Sequence, residues 1–401
     1  MDGTQVARRM KRNLFLLTCC QAVGQSANSM MFTATALSVV TFYRDHGFAT
    51  LPITVQHIGV MLWVFPAALL MQRQGRRFGF RVGSMFGIAG ASTCAIGLYL
   101  ANLALMCLGG LILGYAIACL QMYRFAAVEL APPEDRAKAI SWVTAGGVVA
   151  GVIGQAAVQW SYDKLMPFYI GTYLAMVCVH LIVFMVMGFI EFPPMRTAQE
   201  VESTIPPRPL WEIMSQPTYA AAVIAGMIAF GTMSFLMGAS PLAIVACGLP
   251  HEEAHLVIFL HVMGMFVPSF FTGNLIQRFG VVNVMLAGAL ILLAGVAIAL
   301  SGMAAWNFRI ALTLNGVGWN FLFVGATTLV TTCYRPSERG KAQALNDFLI
   351  FGTTALASFL AGMLHDRLGW PLVNQASLIL IPGALLAVFW LRVQRRQAAS
   401  A

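Results

Sequence analysis

Charged residues are scarce in this chain. Asp, Glu, Lys and Arg make up 10% of its 401 residues, whereas hydrophobic residues make up 59%, and the mean hydropathy is +0.77. A water-soluble domain of this size does not need so apolar a composition, so a membrane protein is predicted. The eight cysteines show no CxxC spacing, which argues against a disulfide framework and against a thiolate metal site.

Signatures of catalysis and of secretion are also missing. The sequence contains no phosphate-cradling loop, which excludes an ATPase, and no nucleophile paired with a base. We therefore expect neither enzymatic activity nor a bound cofactor. No small-residue cleavage site follows the first apolar stretch, so that stretch is interpreted as a retained helix and not as a signal peptide.

Apolar stretches of about 20 residues recur along the whole chain, separated by short polar or Gly/Pro loops. Each is long enough to cross a bilayer as a helix. The pattern predicts an all-α polytopic membrane protein with about twelve transmembrane helices. Their predicted centres are Val23, Leu62, Ala91, Ala116, Val149, Val179, Ala229, Met265, Leu292, Leu322, Ala355 and Ile381.

The net charge of +9 comes from basic residues that alternate between loops and form no single face, so nucleic-acid binding is not expected. With the N-terminus inside, nearly every Lys and Arg falls on the cytoplasmic side, as the positive-inside rule requires. The exceptions are Arg44, Lys164, Arg309 and Arg367. This distribution predicts that both termini are cytoplasmic.

Polar loop residues repeat at an offset of about half the chain length. The segment Gln277, Arg278, Gly280 matches Gln72, Arg73, Gly75, and two further loops match at nearly the same offset: Pro336–Ala342 with Pro133–Ala139, and Asp366–Leu368 with Asp163–Leu165. The repeat predicts two halves of about six helices each, 1–192 and 218–401, joined by a polar cytoplasmic linker at 193–217. It also favours a functional monomer.

The repeated halves and the basic loop Gln72-Arg73-Gln74-Gly75-Arg76-Arg77 resemble the major facilitator superfamily. The resemblance implies a secondary transporter that works by alternating access. It also implies a gating role for a set of loop residues, although simple anchoring at the cytoplasmic interface is an alternative for them. Where the superfamily loop begins with Asp, this chain has Gln72. The candidate gating residues are Arg73, Gly75, Arg76, Arg77, Arg278 and Gly280.

Two pairs of soft metal ligands lie within predicted spans of the second half: Met233 with Met237, and His261 with Met265. Residues four apart lie about 40° apart on one helix face, so each pair projects together. Thioethers with an imidazole suit copper, particularly Cu(I), whereas the lack of a carboxylate argues against Mg, Ca or Mn. The alternative is core packing by methionine, but an ionisable residue inside a span indicates function.

The Met-x-x-x-Met and His-x-x-x-Met pair resembles the CcoA-type bacterial copper importers of the same superfamily. The resemblance implies that copper is the transported substrate, bound by Met233, Met237, His261 and Met265 in the bacterial inner membrane. It further implies supply of copper to cbb-type cytochrome c oxidase, with a cytoplasmic copper chaperone or a copper-exporting ATPase acting downstream. Two alternatives stay open: a transporter of an organic molecule such as riboflavin or a drug, and a copper sensor that binds without transport.

Three other histidines lie in or next to the predicted spans. His251 and His255, just before the eighth span, could capture copper on its way to His261, although solvated loop residues are the alternative. His180, within the sixth predicted span, has no partner at metal-ligand spacing, and a hydrogen-bonded structural role is expected for it.

Overall fold

The computed structural model of the chain describes residues 3–130, 136–192, 208–335 and 338–400. These residues form α-helices and one short 3-10 helix, His46–Phe48. The helices are α1 Gly3–Val39, α2 Leu51–Gln74, α3 Arg76–Tyr99, α4 Leu103–Gln121, α5 Tyr123–Glu129, α6 Arg136–Ser161, α7 Ile170–Met187, α8 Leu210–Met214, α9 Pro217–Ala246, α10 His251–Phe266, α11 Ser269–Phe279, α12 Val281–Leu300, α13 Ala305–Thr331 and α14 Arg339–Ser400.

Nine helical stretches within the described residues are long and apolar enough to cross a membrane. The last, Lys341–Gln394, is 54 residues long and is interrupted by non-helical backbone at Gly369, so it holds two predicted spans. Together with α1 and α6, these account for the 12 predicted helices, and every predicted centre lies within a helix. Helices suit the hydrocarbon core of a bilayer, because they satisfy every backbone polar group internally where water is absent. The all-α membrane architecture is therefore confirmed.

The chain divides into two compact units, Met1–Thr197 and Ala198–Ala401. In the first unit, α3 packs against α4 and α7, and α1 packs against α6 and α7. In the second unit, α9 packs against α13 and α14, while α13 also contacts α10 and α12. The helix α13 is therefore the shared neighbour of the two helices that carry the predicted metal motifs.

Small residues allow the helix backbones to approach closely within each unit. In the first unit, a Cβ atom added at Gly114 of α4 would lie 2.6 Å from the Cα of Gly59 in α2. In the second unit, a Cβ added at Gly318 of α13 would lie 2.7 Å from the carbonyl oxygen of Gly288 in α12. Glycine at such contacts is typical of packing between transmembrane helices.

The sequence repeat is visible in the backbone. Gly75 separates α2 from α3 with φ 88° and ψ 158°, and Gly280 separates α11 from α12 with φ 82° and ψ 147°. Residues with a side chain rarely adopt this region, which is open almost only to glycine. The matched positions therefore make the same turn in both units. In the second matched loop pair, residues 133–135 and 336–337 lie outside the described residues.

Most of the predicted linker, 193–207, also lies outside the described residues. The described remainder is more ordered than a polar linker requires, because it contains α8 with a buried Ile213. Arg208, just before α8, donates hydrogen bonds to both carboxylate oxygens of Glu338, at 2.9 and 2.7 Å. Glu338 also accepts from the backbone N–H groups of Arg208 and Arg335. These bonds fix this end of the linker to the start of α14.

Candidate functional site

The helix α9 carries Met233 and Met237, and it is the most enclosed of the candidate spans in the described residues. Of its most apolar window, 78% is buried, and the two methionines are only 5% and 3% exposed. A helix that is apolar on every face can lie in a protein core or against lipid, and the low exposure of both side chains places them in the core. The sulfur atoms of this pair thus lie inside the C-terminal unit and not on its lipid-facing surface.

His261 of α10 is fully buried, and one side of its ring is fixed. Its Nδ1 lies 2.8 Å from the carbonyl oxygen of Leu312 in α13. A carbonyl oxygen can only accept, so in the neutral ring Nδ1 carries the proton and Nε2 presents its lone pair. The Nε2 atom is buried and has no hydrogen-bond partner in the described part of the chain. A backbone carbonyl that fixes the tautomer in this way is typical of metal-binding histidines.

Glycines hold α10 against α13 at the level of His261. A Cβ at Gly316 would lie 2.3 Å from the carbonyl oxygen of His261 and 2.8 Å from the backbone nitrogen of Met265. A Cβ at Gly264 would lie 2.4 Å from the carbonyl oxygen of Thr313. The sequence therefore permits a close backbone approach here, which brings the imidazole within reach of the Leu312 carbonyl.

Met265 is held by a polar side chain near the end of α10. The helix ends at Phe266, shortly before Pro268, which has no N–H to continue the helical hydrogen bonds. Asn320 of α13 donates to the carbonyl oxygen of Met265 at 2.7 Å and accepts from the hydroxyl of Thr272 at 2.7 Å. The Met265 side chain itself is 8% exposed.

The structure therefore buries all four motif residues on two helices, α9 and α10, that contact each other and share α13 as a neighbour. Their convergence on a single ion stays a prediction. Among the described residues, no group of three or more His, Cys, Asp or Glu side chains could hold a metal ion. A metal held by the motif residues would therefore bond to thioether sulfur as well as to imidazole, which suits a soft ion.

The predicted capture histidines lie within the first two turns of α10, not in a loop before it. His251 is exposed, whereas His255 is only 3% exposed, so the expectation of a solvated position is wrong for His255. The neighbouring Glu253 accepts hydrogen bonds from Arg309 at 2.7 and 2.5 Å. Its carboxylate is therefore engaged in an ion pair, and a capture role for the two histidines stays a prediction.

Polar groups on α13 were missed by the sequence analysis. Both amide atoms of Asn315 and the Nε1 of Trp319 are buried and have no hydrogen-bond partner in the described ranges. Buried polar atoms are normally hydrogen-bonded, so an unpaired one indicates a site for a ligand, a water molecule or an ion. The sequence does contain an indication of this group, because Asn315 is an amide in the middle of an apolar span. However, Asn315 has no metal-ligating partner at the i, i+4 spacing that marks the methionine and histidine pairs.

Comparison with known proteins identifies the family. The sequence profile described as Major Facilitator Superfamily matches residues 14–250 and 222–401. This chain belongs to the major facilitator superfamily. It is thus an integral membrane transporter and not an enzyme.

Two related proteins match nearly the whole chain. The chain is 37% identical to "Riboflavin transporter RfnT" of Brucella anthropi, over 94% of this chain and 96% of that protein. It is 28% identical to "Uncharacterized MFS-type transporter YdeG" of Bacillus subtilis, over 95% and 92%. The first of these names describes an organic substrate.

Solved structures share the superfamily fold. The human organic anion transporter MFSD10 aligns with a TM-score of 0.71 at 12% identity, covering 95% of this chain and 99% of that one. The nucleoside transporter NupG aligns with a TM-score of 0.69 at 12% identity, covering 95% and 99%. At this level of identity the likeness extends to the fold alone.

The superfamily loop between α2 and α3 contacts the end of α7. Arg77 donates to the carbonyl oxygen of Gly188, the residue after α7, and Arg76 lies 3.8 Å from the sulfur of Met71. In the matched loop of the second unit, the Arg278 guanidinium lies 5.2 Å from the centre of the Phe279 ring. Arg73 is exposed. A gating role for these arginines stays a prediction.

Proposed function

We propose that this transporter imports copper, as Cu(I), across the bacterial cytoplasmic membrane by alternating access. Met233, Met237, His261 and Met265 would bind the ion in transit. The observation that carries the proposal is the state of His261: its Nδ1 is bonded to the Leu312 carbonyl, while its Nε2 is buried and unpaired in the described residues. A buried nitrogen lone pair without a partner is costly unless a ligand completes it.

Ligand chemistry supports Cu(I) over other ions. The three thioethers on the same two helices are soft donors, and soft donors favour Cu(I). The carboxylate of Glu253, in the first turn of α10, is engaged by Arg309 and so does not supply a ligand for a hard ion. Once inside, copper would pass to a cytoplasmic chaperone or a copper-exporting ATPase and so supply a cbb-type cytochrome c oxidase, as the resemblance to CcoA-type importers implies.

A second candidate is transport of a planar organic molecule. It is favoured by the 37% identity to a riboflavin transporter, and the comparisons speak for it more directly than for copper. An aromatic cluster in the C-terminal unit also suits such a cargo: Trp319 stacks on Phe323 at 4.9 Å, and Phe230 lies 5.1 Å from Trp319. The unpaired Nε1 of Trp319 could donate to a heteroaromatic ring. Substrate identity within one fold depends on a few site residues, so substitutions at those residues distinguish the two candidates.

Nearly isosteric substitutions separate a ligand role from packing. Met→Leu at 233, 237 or 265 removes the sulfur while keeping the volume, a swap that usually costs less than about 1.5 kcal/mol. His261→Asn keeps a donor for the Leu312 carbonyl but removes Nε2. The matched control is Met285→Leu, the same swap at a buried methionine of α12 outside the motifs.

The assay is accumulation of radioactive copper by cells that express each variant at equal membrane abundance. Copper import predicts accumulation with the intact chain and Met285→Leu, and loss with Met233→Leu and His261→Asn. Unchanged copper uptake in those two variants, together with riboflavin uptake by the intact chain, would establish the second candidate instead. Copper binding without accumulation would indicate a sensor.

A further inference from the structure

A small cavity lies in the N-terminal unit, whereas the motif residues belong to the C-terminal unit. Its lining combines backbone and Ser84 of α3, the backbone of α1 at Gly24, and apolar side chains of α4 and α7 with three side chains that can take part in chemistry: Cys119, Tyr123 and His180. The function proposed above uses none of them. All three are buried, so their polar atoms need partners inside the protein.

His180 has an unsatisfied nitrogen at this cavity. The side chain is 4% exposed, and Nε2 is buried with no hydrogen-bond partner in the part of the chain that the structure describes. The sequence leads us to expect a hydrogen-bonded histidine, but Nε2 of His180 makes no hydrogen bond within the described residues. Cys119 is 1% exposed, and its thiol makes a long contact of 3.8 Å with the carbonyl oxygen of Gly79.

Two glycines of α3 make room for these side chains. A Cβ at Gly83 would lie 2.7 Å from the sulfur of Cys119, and a Cβ at Gly87 would lie 2.3 Å from Nδ1 of His180. Gly83 and Gly87 are one helical turn apart, about 6 Å along the axis. The thiol of α4 and the imidazole of α7 thus pack on successive turns of one face of α3, and both line the cavity.

We propose that Cys119 and His180 form a second soft-metal site, which binds Cu(I) within the N-terminal unit. A thiolate sulfur and a neutral imidazole nitrogen are both suitable Cu(I) ligands, and Cu(I) is stable with as few as two soft ligands. Binding releases the thiol proton to solvent, so affinity rises with pH. The proposal does not depend on the copper-import function of the motif residues. A water molecule bonded to Nε2 is the competing occupant.

The test is anaerobic Cu(I) titration of the purified full-length chain in detergent, against a chromophoric Cu(I) chelator. The intact chain is expected to bind two ions, and a Met233→Leu/His261→Asn variant one. Adding Cys119→Ser and His180→Phe to that variant should remove the remaining ion. If the motif residues bind no copper, the intact chain and the Met233→Leu/His261→Asn variant will both bind one ion. That pattern would reject the motif site alone.

The matched control is Cys94→Ser, which changes a buried thiol of α3 that does not line the cavity and should leave the stoichiometry unchanged. Copper X-ray absorption of the Met233→Leu/His261→Asn variant tests the site without altering it, and one sulfur and one nitrogen are expected around the metal. Stoichiometry insensitive to Cys119→Ser and His180→Phe, or a metal environment lacking sulfur, would overturn the proposal and leave water as the occupant.

Discussion

A single methyl group at Gly316 is expected to disable the motif site without touching any proposed ligand side chain. In Gly316→Ala, the new carbon would lie 2.3 Å from the carbonyl oxygen of His261. Ordinary carbon–oxygen contacts are about 3.3–3.6 Å, so α10 and α13 must move apart by roughly 1 Å. The Nδ1 of His261, now 2.8 Å from the Leu312 oxygen, would then lie beyond normal hydrogen-bond distance.

The energetic cost follows from two contributions. Overpacking of a close helix contact costs about 1–3 kcal/mol, and loss of one internal hydrogen bond adds about 0.5–1.5 kcal/mol. The variant should therefore unfold at a lower temperature than the intact chain, whatever the transported substrate is. If copper is the substrate, uptake should also fall at equal membrane abundance, because the imidazole loses the bond that orients it.

The assay pairs thermal unfolding of the detergent-purified protein with copper uptake by cells. Gly273→Ala in α11 is the matched control, since a Cβ there meets no atom within 4 Å, and it should change neither property. Normal unfolding and normal uptake in Gly316→Ala would refute the close packing of α10 on α13. Lower stability with normal uptake would refute only the role assigned to the orientation of His261.

Three further changes test other parts of the structure. Asn320→Leu leaves the buried carbonyl of Met265 unpaired, which should lower stability by about 1–3 kcal/mol in chemical unfolding, and an unchanged midpoint would contradict this. Arg208 lowers the pKa of Glu338 to about 2, so the stabilisation by this carboxylate is complete above its ordinary pKa and is lost as the pH falls toward 2. Glu338→Gln should therefore make the free energy of unfolding less dependent on pH between about 2 and 4.5. A pH profile identical to that of the intact chain would refute the ion pair. Gly75→Ala should destabilise the protein by about 1–3 kcal/mol in thermal unfolding. Backbone strain is the only cause, since a Cβ there meets no atom within 4 Å. Stability equal to that of the intact chain would contradict the strained turn.

The helices and the repeat could be predicted from the sequence because both follow from local chemistry. Apolar stretches long enough to cross a bilayer can satisfy their backbone only as helices, so the predicted centres all lie within helices. Gly75 and Gly280 could be matched because one backbone turn demands the same residue in both units. The order of the described linker residues could not be foreseen, since the partner of Arg208 is Glu338, 130 residues further along the chain.

The ligand types of the candidate site could be predicted, whereas its surroundings could not. Periodicity places Met233 with Met237 and His261 with Met265, because residues four apart share a helix face. The carbonyl that orients His261 belongs to a different helix, and no local pattern identifies Leu312 as the acceptor. Asn315 was missed for the same reason: its significance lies in the absence of a described partner, which only the packed unit reveals.

Transport by the purified protein in sealed liposomes tests the central claim most directly. Intact chain, Met233→Leu, His261→Asn and Met285→Leu would each be reconstituted, and entry of radioactive Cu(I) and of radioactive riboflavin would be followed in parallel. The copper account predicts entry of Cu(I) with the intact chain and Met285→Leu, loss in the other two variants, and no riboflavin uptake. Riboflavin entry without copper entry, unaffected by Met233→Leu and His261→Asn, would contradict it.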